Sequence, residues 1–304
     1  MLYKFKDRFK RARFNFNTRA LLRTPPVVLD AGSSLHVLSL LQHKDLFMYL
    51  AAIKSFAKHV PVRQVHVVND GSLSLSDQQI LIYHVPGIVI HGIDQFRGQA
   101  VPRGGCWERL VAVAEFSKDA YVIQLDADTL TLGPLPEVVE AVHSRCSFTI
   151  GTWDGQKIEP ILERARIAKT VLRQGNEHIQ VKAEAVFDQL PGAGKMFYVR
   201  GCAGFSGFAP SGERLAFIRH ISSEMGGILG LQWSQWGSEQ VMSNLVVAND
   251  LGAIVLPHPI YCDCSKVQVG VTQFIHFIGE CRFDGGRYAE MIQDLDLSSG
   301  RSRQ

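Results

Sequence analysis

Residues 121–133, YVIQLDADTLTLG, place two carboxylates, Asp126 and Asp128, directly after a mostly apolar run of five residues. The run has the length and composition of a buried strand in a parallel sheet. The spacing of the two carboxylates says little by itself, because the chain has 16 aspartates and repeats the spacing at Asp294 and Asp296. Only the first pair follows a strand pattern, so only this pair is expected at the carboxyl edge of a sheet, where ligands bind.

Strand and helix patterns alternate around this segment. Strands are predicted at residues 27–30, 64–68, 87–91 and 121–125, and helices at residues 35–60, 77–83 and 107–116. Such alternation is typical of a parallel sheet that is covered by helices on both faces. The sequence therefore predicts an α/β fold with the acidic pair at its ligand-binding edge.

The composition, with 46% hydrophobic and 20% charged residues, is that of a soluble globular protein. The sequence contains neither an apolar run of 18 residues nor a secretory leader pattern, so a cytoplasmic location is expected. In that location the six cysteines are expected to be reduced thiols. Cys262 and Cys264 lack the two-residue gap of a zinc site, and plain thiols are favoured there too.

Charge is concentrated in residues 1–24, which hold eight basic residues and one acid, a net charge of +7. Because the whole chain carries +3, residues 25–304 carry −4. A basic body of the kind that binds nucleic acid is therefore excluded. Aromatic and leucine residues interleave the basic segment, which leaves two interpretations: a partly ordered basic tail, or peripheral contact with the inner face of an anionic membrane.

Two carboxylates on one short turn fit a hard divalent cation, because Mg²⁺ and Mn²⁺ prefer oxygen ligands. The alternative is a solvated turn in which aspartates cap backbone amides. Spacing and placement leave both open.

Five segments in order resemble one family. They are Trp107-Glu108-Arg109-Leu110 at a helix start, the acidic segment with its continuation to Val138, the small-residue strand GCAGFSGFAP at residues 201–210, Glu239-Gln240 with Asn244, and His276 with Gly279 and Arg282. Over roughly residues 27–285 the chain resembles GT-A nucleotide-sugar glycosyltransferases, and among them the glycogenin-like, galactosyltransferase-like family eight.

The resemblance implies the GT-A fold, with a mostly parallel, Rossmann-like sheet and helices on both faces. It implies one catalytic domain at residues 25–290, with a nucleotide-binding half at 25–133 and an acceptor and sugar half at 134–290. The basic tail at residues 1–24 and a polar tail at 291–304 flank it.

The resemblance also implies a site. Asp126, Asp128 and His276 would bind Mn²⁺ or Mg²⁺, and the imidazole favours Mn²⁺. Glu239 and Gln240 would be the catalytic residues. The nucleotide-sugar donor would contact Asp70, Arg109, Asp126, Ala127, Gly204, Asn244, Gly279 and Arg282.

The implied function is metal-dependent transfer of a sugar, with retention of configuration, from a nucleotide-diphosphate sugar, UDP-sugars being favoured, to a glycan, lipid or protein acceptor. Two alternatives stay open: a nucleotidyltransferase, and a catalytically degenerate binding protein. The family's acidic residue at position 239 is Glu here, its second Asp is Val241, and its inward Asn is missing near Cys202. These departures concern the sugar and acceptor more than the nucleotide.

Three further segments have two interpretations each. Asp70-Gly71-Ser72 resembles a donor-binding turn of inverting GT-A enzymes and is also ordinary turn chemistry. Residues 158–174 form a basic helix that would either meet an anionic acceptor or be a solvated face, and the solvated face is favoured. Glu239 and Gln240 would be catalytic or simply first-turn residues of a helix with Ser238 as its N-cap.

Overall fold

The computed structural model describes residues 2–98, 100–175 and 177–297, and of residues 2–7 the backbone alone. Residues 298–304, the end of the predicted polar tail, lie outside the described part. Among the described residues, no helix combines the length and the apolar character that crossing a membrane requires.

The helices are α1 (Leu2–Thr18), α2 (Leu46–His59), α3 (Leu75–His84), α4 (Trp107–Phe116), α5 (Pro136–His143), α6 (Ile161–Arg173), α7 (Ile179–Ala185), α8 (Arg214–Leu229), α9 (Ser238–Asn249) and α10 (Arg287–Asp294). The strands are β1 (Leu35–Leu41), β2 (Gln64–Asn69), β3 (Val89–Gly92), β4 (Tyr121–Leu125), β5 (Thr129–Thr131), β6 (Phe148–Gly151), β7 (Glu159–Pro160), β8 (Phe197–Tyr198), β9 (Gly201–Phe208), β10 (Ile254–Leu256), β11 (Tyr261–Asp263) and β12 (Phe274–His276).

The chain forms two compact units. Unit 1 comprises residues 1–92, 125–139 and 259–304, and unit 2 comprises residues 93–124 and 140–258. The strands of unit 1 are mostly parallel, those of unit 2 pair both parallel and antiparallel, and helices pack against them in both units, which confirms the predicted α/β class.

Unit 1 contains the parallel strands β1, β2 and β3 in that spatial order. The predicted helix at residues 35–60 is wrong in its first part, because Leu35–Leu41 is strand β1 and helix α2 begins only at Leu46. Strand β1 is buried along most of its length, so its apolar residues lack the alternation that marks a half-exposed strand. The predicted strand at residues 27–30 is also wrong: the segment forms isolated hydrogen bonds outside the ladder.

A second sheet of unit 1 has the order β11-β12-β5. Strand β12 is antiparallel to β5, and their register sets His276 opposite Thr129. Strand β11 runs parallel to β12, so the segments that follow these two strands leave the sheet at the same end. A disulfide bond joins Cys264 to Cys281 there. The prediction of six reduced thiols is therefore wrong for these two residues, because a separation of 17 residues conceals that their strands end side by side.

Unit 2 has the strand order β10-β6-β9-β4, with β10 parallel and β9 antiparallel to β6. The small residues that the sequence shows in β9 have a packing reason. A Cβ atom on Gly207 would overlap the ring of Phe148 and the hydroxyl of Tyr121, and one on Gly201 would overlap Thr149. Glycine lets the neighbouring side chains close over this strand.

Three histidines form a hydrogen-bonded row across the strands of unit 1. The ring nitrogens of His36 and His66, and those of His66 and His91, are 3.1 Å apart in each case. Burial, followed by the charges that His36 and His91 would carry, lowers the pKa of His66 to about 3. The folded protein therefore holds His66 neutral, while the unfolded chain protonates it near its ordinary pKa of about 6.5.

Acid should therefore weaken the fold through His66. Below pH 6.5 the unfolded state binds a proton that the folded state does not, and stability falls by about 1.4 kcal/mol per pH unit from this residue until pH nears 3. In urea titrations at pH 7.5 and 5.0, His66→Gln should reduce the difference in unfolding free energy by about 2 kcal/mol. The exposed His220 provides the control His220→Gln, and equal pH dependence in wild type and His66→Gln would contradict the prediction.

Candidate metal and diphosphate site

The turn that holds the acidic pair begins where β4 ends. The hydroxyl of Ser39 in β1 donates to the carbonyl of Leu125 at 2.6 Å, which fixes the residue before Asp126. The hydroxyl of Thr129 then donates to the carbonyl of Asp126 at 2.9 Å and closes the turn. These two hydrogen bonds fix the backbone of the turn that carries both carboxylates.

His276 reaches this turn through the pairing of β12 with β5. It lies opposite Thr129 in the register, and the amide of the next residue, Phe277, donates to the carbonyl of Asp128 at 2.8 Å. The side chain of His276 has its Nε2 atom 3.2 Å from Oδ1 of Asp128 and 3.9 Å from Oδ2 of Asp126. The sheet therefore brings a residue 148 positions away into contact with the acidic pair.

These three side chains fit a divalent cation. One ligand atom from each of Asp126, Asp128 and His276 lies within 4.8 Å of the others. Their side chains are 24%, 14% and 9% exposed, so they are mostly buried and still reachable. A set of two carboxylates and one imidazole suits Mn²⁺ better than Mg²⁺, because imidazole is the softer donor.

Arg282 adds a positive charge to the same place. Its Nη1 atom is 3.4 Å from Oδ2 of Asp128, and its Nε donates to the carbonyl of Gly279 at 3.1 Å. Gly279 has a φ of +56°, a left-handed conformation that favours glycine, with open space around the position of a Cβ. The requirement for glycine is thus one of backbone conformation. The adjoining Cys281 is bonded to Cys264, which ties the arginine-bearing turn to β11.

The neighbours of Asp128 determine its ionisation. Burial disfavours ionisation of Asp128, but His276 and Arg282 outweigh it and hold the pKa of the carboxyl below its usual range. Asp45 is nearby in the same unit: burial raises the pKa of its carboxyl, although Arg11 opposes this. Asp128 is therefore a carboxylate at neutral pH, as a metal ligand must be.

Several other predicted site residues lie in unit 2. Arg109 of α4 and Glu239 of α9 form a buried ion pair with 3.2 Å between Nη2 and Oε2. Asn244 donates from Nδ2 to the carbonyl of Gly201 at 3.0 Å. Gln240 is half-buried, and Gly204 lies buried within β9. The pairing of Arg109 with Glu239 was missed by the sequence reasoning, since no local signal links positions 130 residues apart.

Ser238 does not cap helix α9, and the prediction that it does is wrong. Gly237 precedes the helix with φ of +102°, and Ser238 is the first helical residue. The buried hydroxyl of Ser238 instead accepts a hydrogen bond from the indole of Trp107 at 2.9 Å. The hydroxyl therefore bonds a side chain that is distant in sequence and does not cap the helix.

The remaining predicted residues are ordinary in their local structure. Asp70 closes a turn by accepting from the amide of Ser72 at 2.9 Å, which confirms the turn chemistry. Ala127 sits half-buried between the two aspartates. On helix α6, Arg166 is exposed and paired with Glu163, which agrees with a solvated face. Arg164 is instead buried and paired with Glu159, so this residue departs from that interpretation.

The fold is the GT-A fold, as its likeness to a solved structure shows. Among solved structures, the bifunctional glycosyltransferase WbbM without ligand has a TM-score of 0.52 and 12% identity, over 89% of this chain and 51% of that one, so this chain spans about half the length of WbbM. The galactosyltransferase LgtC with donor and acceptor sugar analogues has a TM-score of 0.49, 14% identity and coverage of 86% and 96%. Mouse xyloside xylosyltransferase 1 has a TM-score of 0.47, 12% identity and coverage of 82% and 98%.

At these identities the likeness concerns the fold alone. No protein-family model and no curated protein sequence matches the chain.

Loss of the imidazole should weaken metal binding without unfolding the protein. His276→Ala should raise the Kd for Mn²⁺, measured by calorimetric titration, by at least about 10- to 100-fold, which is the loss seen when even outer-shell partners of a metal are removed. The matched control is Asp294→Asn in the second, exposed acidic pair. Unchanged Mn²⁺ affinity in His276→Ala would remove the metal assignment.

The buried ion pair of unit 2 should be costly to break from one side. Arg109→Met leaves Glu239 charged and buried, and should lower the unfolding free energy in urea by about 3–5 kcal/mol. The double variant Arg109→Met with Glu239→Gln should recover more than half of that loss. Equal stability of the single and double variants would show that the two side chains do not depend on each other.

Proposed function

We propose that this protein is a metal-dependent glycosyltransferase that transfers a sugar from a nucleotide-diphosphate sugar to an acceptor. The observation that supports it is the convergence of Asp126, Asp128, His276 and Arg282 at the end of a buried strand in a chain of GT-A fold. We also propose, from the resemblance of its motifs, that it is related to glycosyltransferase family eight.

Asp126, Asp128 and His276 would hold the cation, with Mn²⁺ preferred. A bound divalent cation would neutralise part of the negative charge that develops on the departing diphosphate. Asp128 is suited to this role because it is ionised at neutral pH and fixed by its backbone carbonyl. A rigid carboxylate loses little entropy on binding and so favours the occupied state.

Arg282 would bind the diphosphate itself. A guanidinium can donate two parallel hydrogen bonds to phosphate oxygens, and it stays charged throughout the reaction. The contact between Arg282 and Asp128 holds the guanidinium beside the proposed metal ligands before a donor binds. The positive charge is therefore in place where the leaving group forms, and little reorganisation is needed in the transition state.

We assign the remaining donor contacts by resemblance to Asp70, Arg109, Ala127, Gly204, Asn244 and Gly279, with UDP-sugars as the favoured donors. Glu239 and Gln240 are the proposed catalytic residues, and we propose retention of the anomeric configuration. The ion pair with Arg109 keeps the carboxylate of Glu239 oriented and charged. In an inverting reaction the same carboxylate would instead be the general base that takes the acceptor's proton.

Turnover should depend on both the cation and Asp128. In a screen of UDP-, GDP- and CDP-sugars, release of the nucleoside diphosphate should need Mn²⁺ and stop on chelation. Asp128→Ala should reduce it by at least about 100-fold, the scale of losing one electrostatic contact to a developing charge. Asp294→Ala in the exposed second pair should retain wild-type turnover.

Two outcomes would decide against the proposal. Absence of metal-dependent binding or turnover with every donor would reject the transferase, and full turnover in Asp128→Ala would reject the site. The anomeric coupling constant of the product, read by NMR before mutarotation, tests retention separately, because an inverted product would reject retention and leave the transferase intact.

A further inference from the structure

Helix α1 exposes two aromatic side chains on one face. Phe9 is 65% and Phe16 61% exposed, and seven residues make two helical turns, so both point the same way about 10 Å apart. Arg13, also exposed, lies between them. Each exposed ring keeps a large apolar surface in contact with water, and burial of this surface against a partner would be favourable.

Helix α1 and the short 3₁₀ helix that follows it at Arg19–Arg23 are strongly basic. Residues 8–23 contain six basic residues and no acidic one. Four of them are exposed, Arg8, Arg13, Arg19 and Arg23. The guanidinium of Arg19 lies 4.0 Å from the ring centre of Phe16, so charge and aromatic surface are adjacent. Arg8, Arg13 and Arg23 make no ion pair with any side chain in the described part of the chain.

The opposite face of α1 is docked on unit 1. Phe14 is buried, with its ring centre 5.8 Å from that of Phe283 and 5.1 Å from that of Tyr288. Arg11 pairs with Asp45 at 2.8 Å. The inward residues are therefore engaged and hold the helix in place. We define the outer face of α1 as its exposed residues Arg8, Phe9, Arg13 and Phe16 together with Arg19 and Arg23 of the 3₁₀ helix that directly follows it.

We infer that the outer face of α1 binds the surface of an anionic lipid bilayer. The two phenylalanines would enter the boundary between headgroups and acyl chains, where amphipathic helices bury their apolar side. The arginines would extend along the helix to the lipid phosphates, each adding attraction to a negatively charged leaflet. Binding by this surface is independent of the proposed transferase activity.

Charge argues for a bilayer over other partners. The rest of the chain, residues 25–304, carries −4, so a nucleic acid that extended beyond the helix would be repelled. A second copy of the chain would bring two basic faces together, which is unfavourable. A flat anionic surface meets the basic face alone and satisfies its aromatic and basic residues at once.

Vesicle flotation of the full chain tests the inference. Wild type should bind vesicles of phosphatidylcholine with about 30% phosphatidylglycerol, and bind pure phosphatidylcholine much less, because the arginines need anionic lipid. Arg13→Gln with Arg19→Gln should weaken binding roughly 30-fold, since each basic residue near the surface contributes about fivefold. Phe9→Ser with Phe16→Ser should weaken it at least tenfold through lost apolar burial.

Helix α3 supplies a matched apolar control. Leu75 and Ile82 are 79% and 55% exposed and are also seven residues apart, but no basic residue lies between them. Leu75→Ser with Ile82→Ser should bind vesicles like wild type, and so should Lys195→Gln with Arg219→Gln, which removes two exposed charges elsewhere.

Circular dichroism confirms that each variant is folded. Wild type that fails to bind anionic vesicles, or equal losses in the α1 variants and the controls, would overturn the inference. So would a wild-type dimer in sedimentation velocity that the Phe9 and Phe16 substitutions convert to monomer without any vesicle binding.

Discussion

The antiparallel pairing of β12 with β5 is the constraint on which the site depends. Strand β5 begins one residue after Asp128, so whatever lies opposite its first residue is delivered to the acidic turn. His276 occupies that position, and the amide of Phe277 bonds the carbonyl of Asp128. A slip of one residue would turn the imidazole to the other face of the sheet. The register therefore decides whether two carboxylates become a three-ligand group, and the fully buried Tyr288, whose hydroxyl donates to the carbonyl of Thr129, helps to fix it.

Charge compensation explains the surroundings of this register. Asp126 and Asp128 lie close together, and partly buried carboxylates repel each other. Nearby positive groups offset this repulsion. Arg282 supplies that charge, and His276 places a ring nitrogen within hydrogen-bond distance of Asp128. Asp45 would add to the repulsion, and its pairing with Arg11 limits it. Arg11 of the N-terminal helix thus belongs to the same electrostatic group as Asp126 and Asp128, which gives the inner face of this helix a structural role in unit 1.

The sequence patterns predict the elements whose signal is local, and they do not predict features that depend on a residue far away in the chain. The spacing in Trp107–Phe116 and the apolar run in Tyr121–Leu125 predict the observed helix and strand to the residue. Strand β1 was missed because a strand buried on both faces has no period of two, and its leucines also fit a helix that continues into α2. The cap of α9 and the Cys264–Cys281 bond follow from contacts that no spacing rule encodes.

The second acidic pair shows why the first one is informative. Asp294 and Asp296 have the same spacing, but they lie at the end of helix α10 and no histidine is brought to them among the residues described. Lys58 donates a hydrogen bond to the backbone carbonyl of Asp296 and forms an ion pair with the carboxylate of the same residue. Because this ion pair is exposed to solvent, it contributes little to stability. The chemical role of an Asp-x-Asp motif therefore depends on the secondary structure around it. A strand must deliver both carboxylates to one edge, and a neighbouring strand in the right register must supply the third ligand.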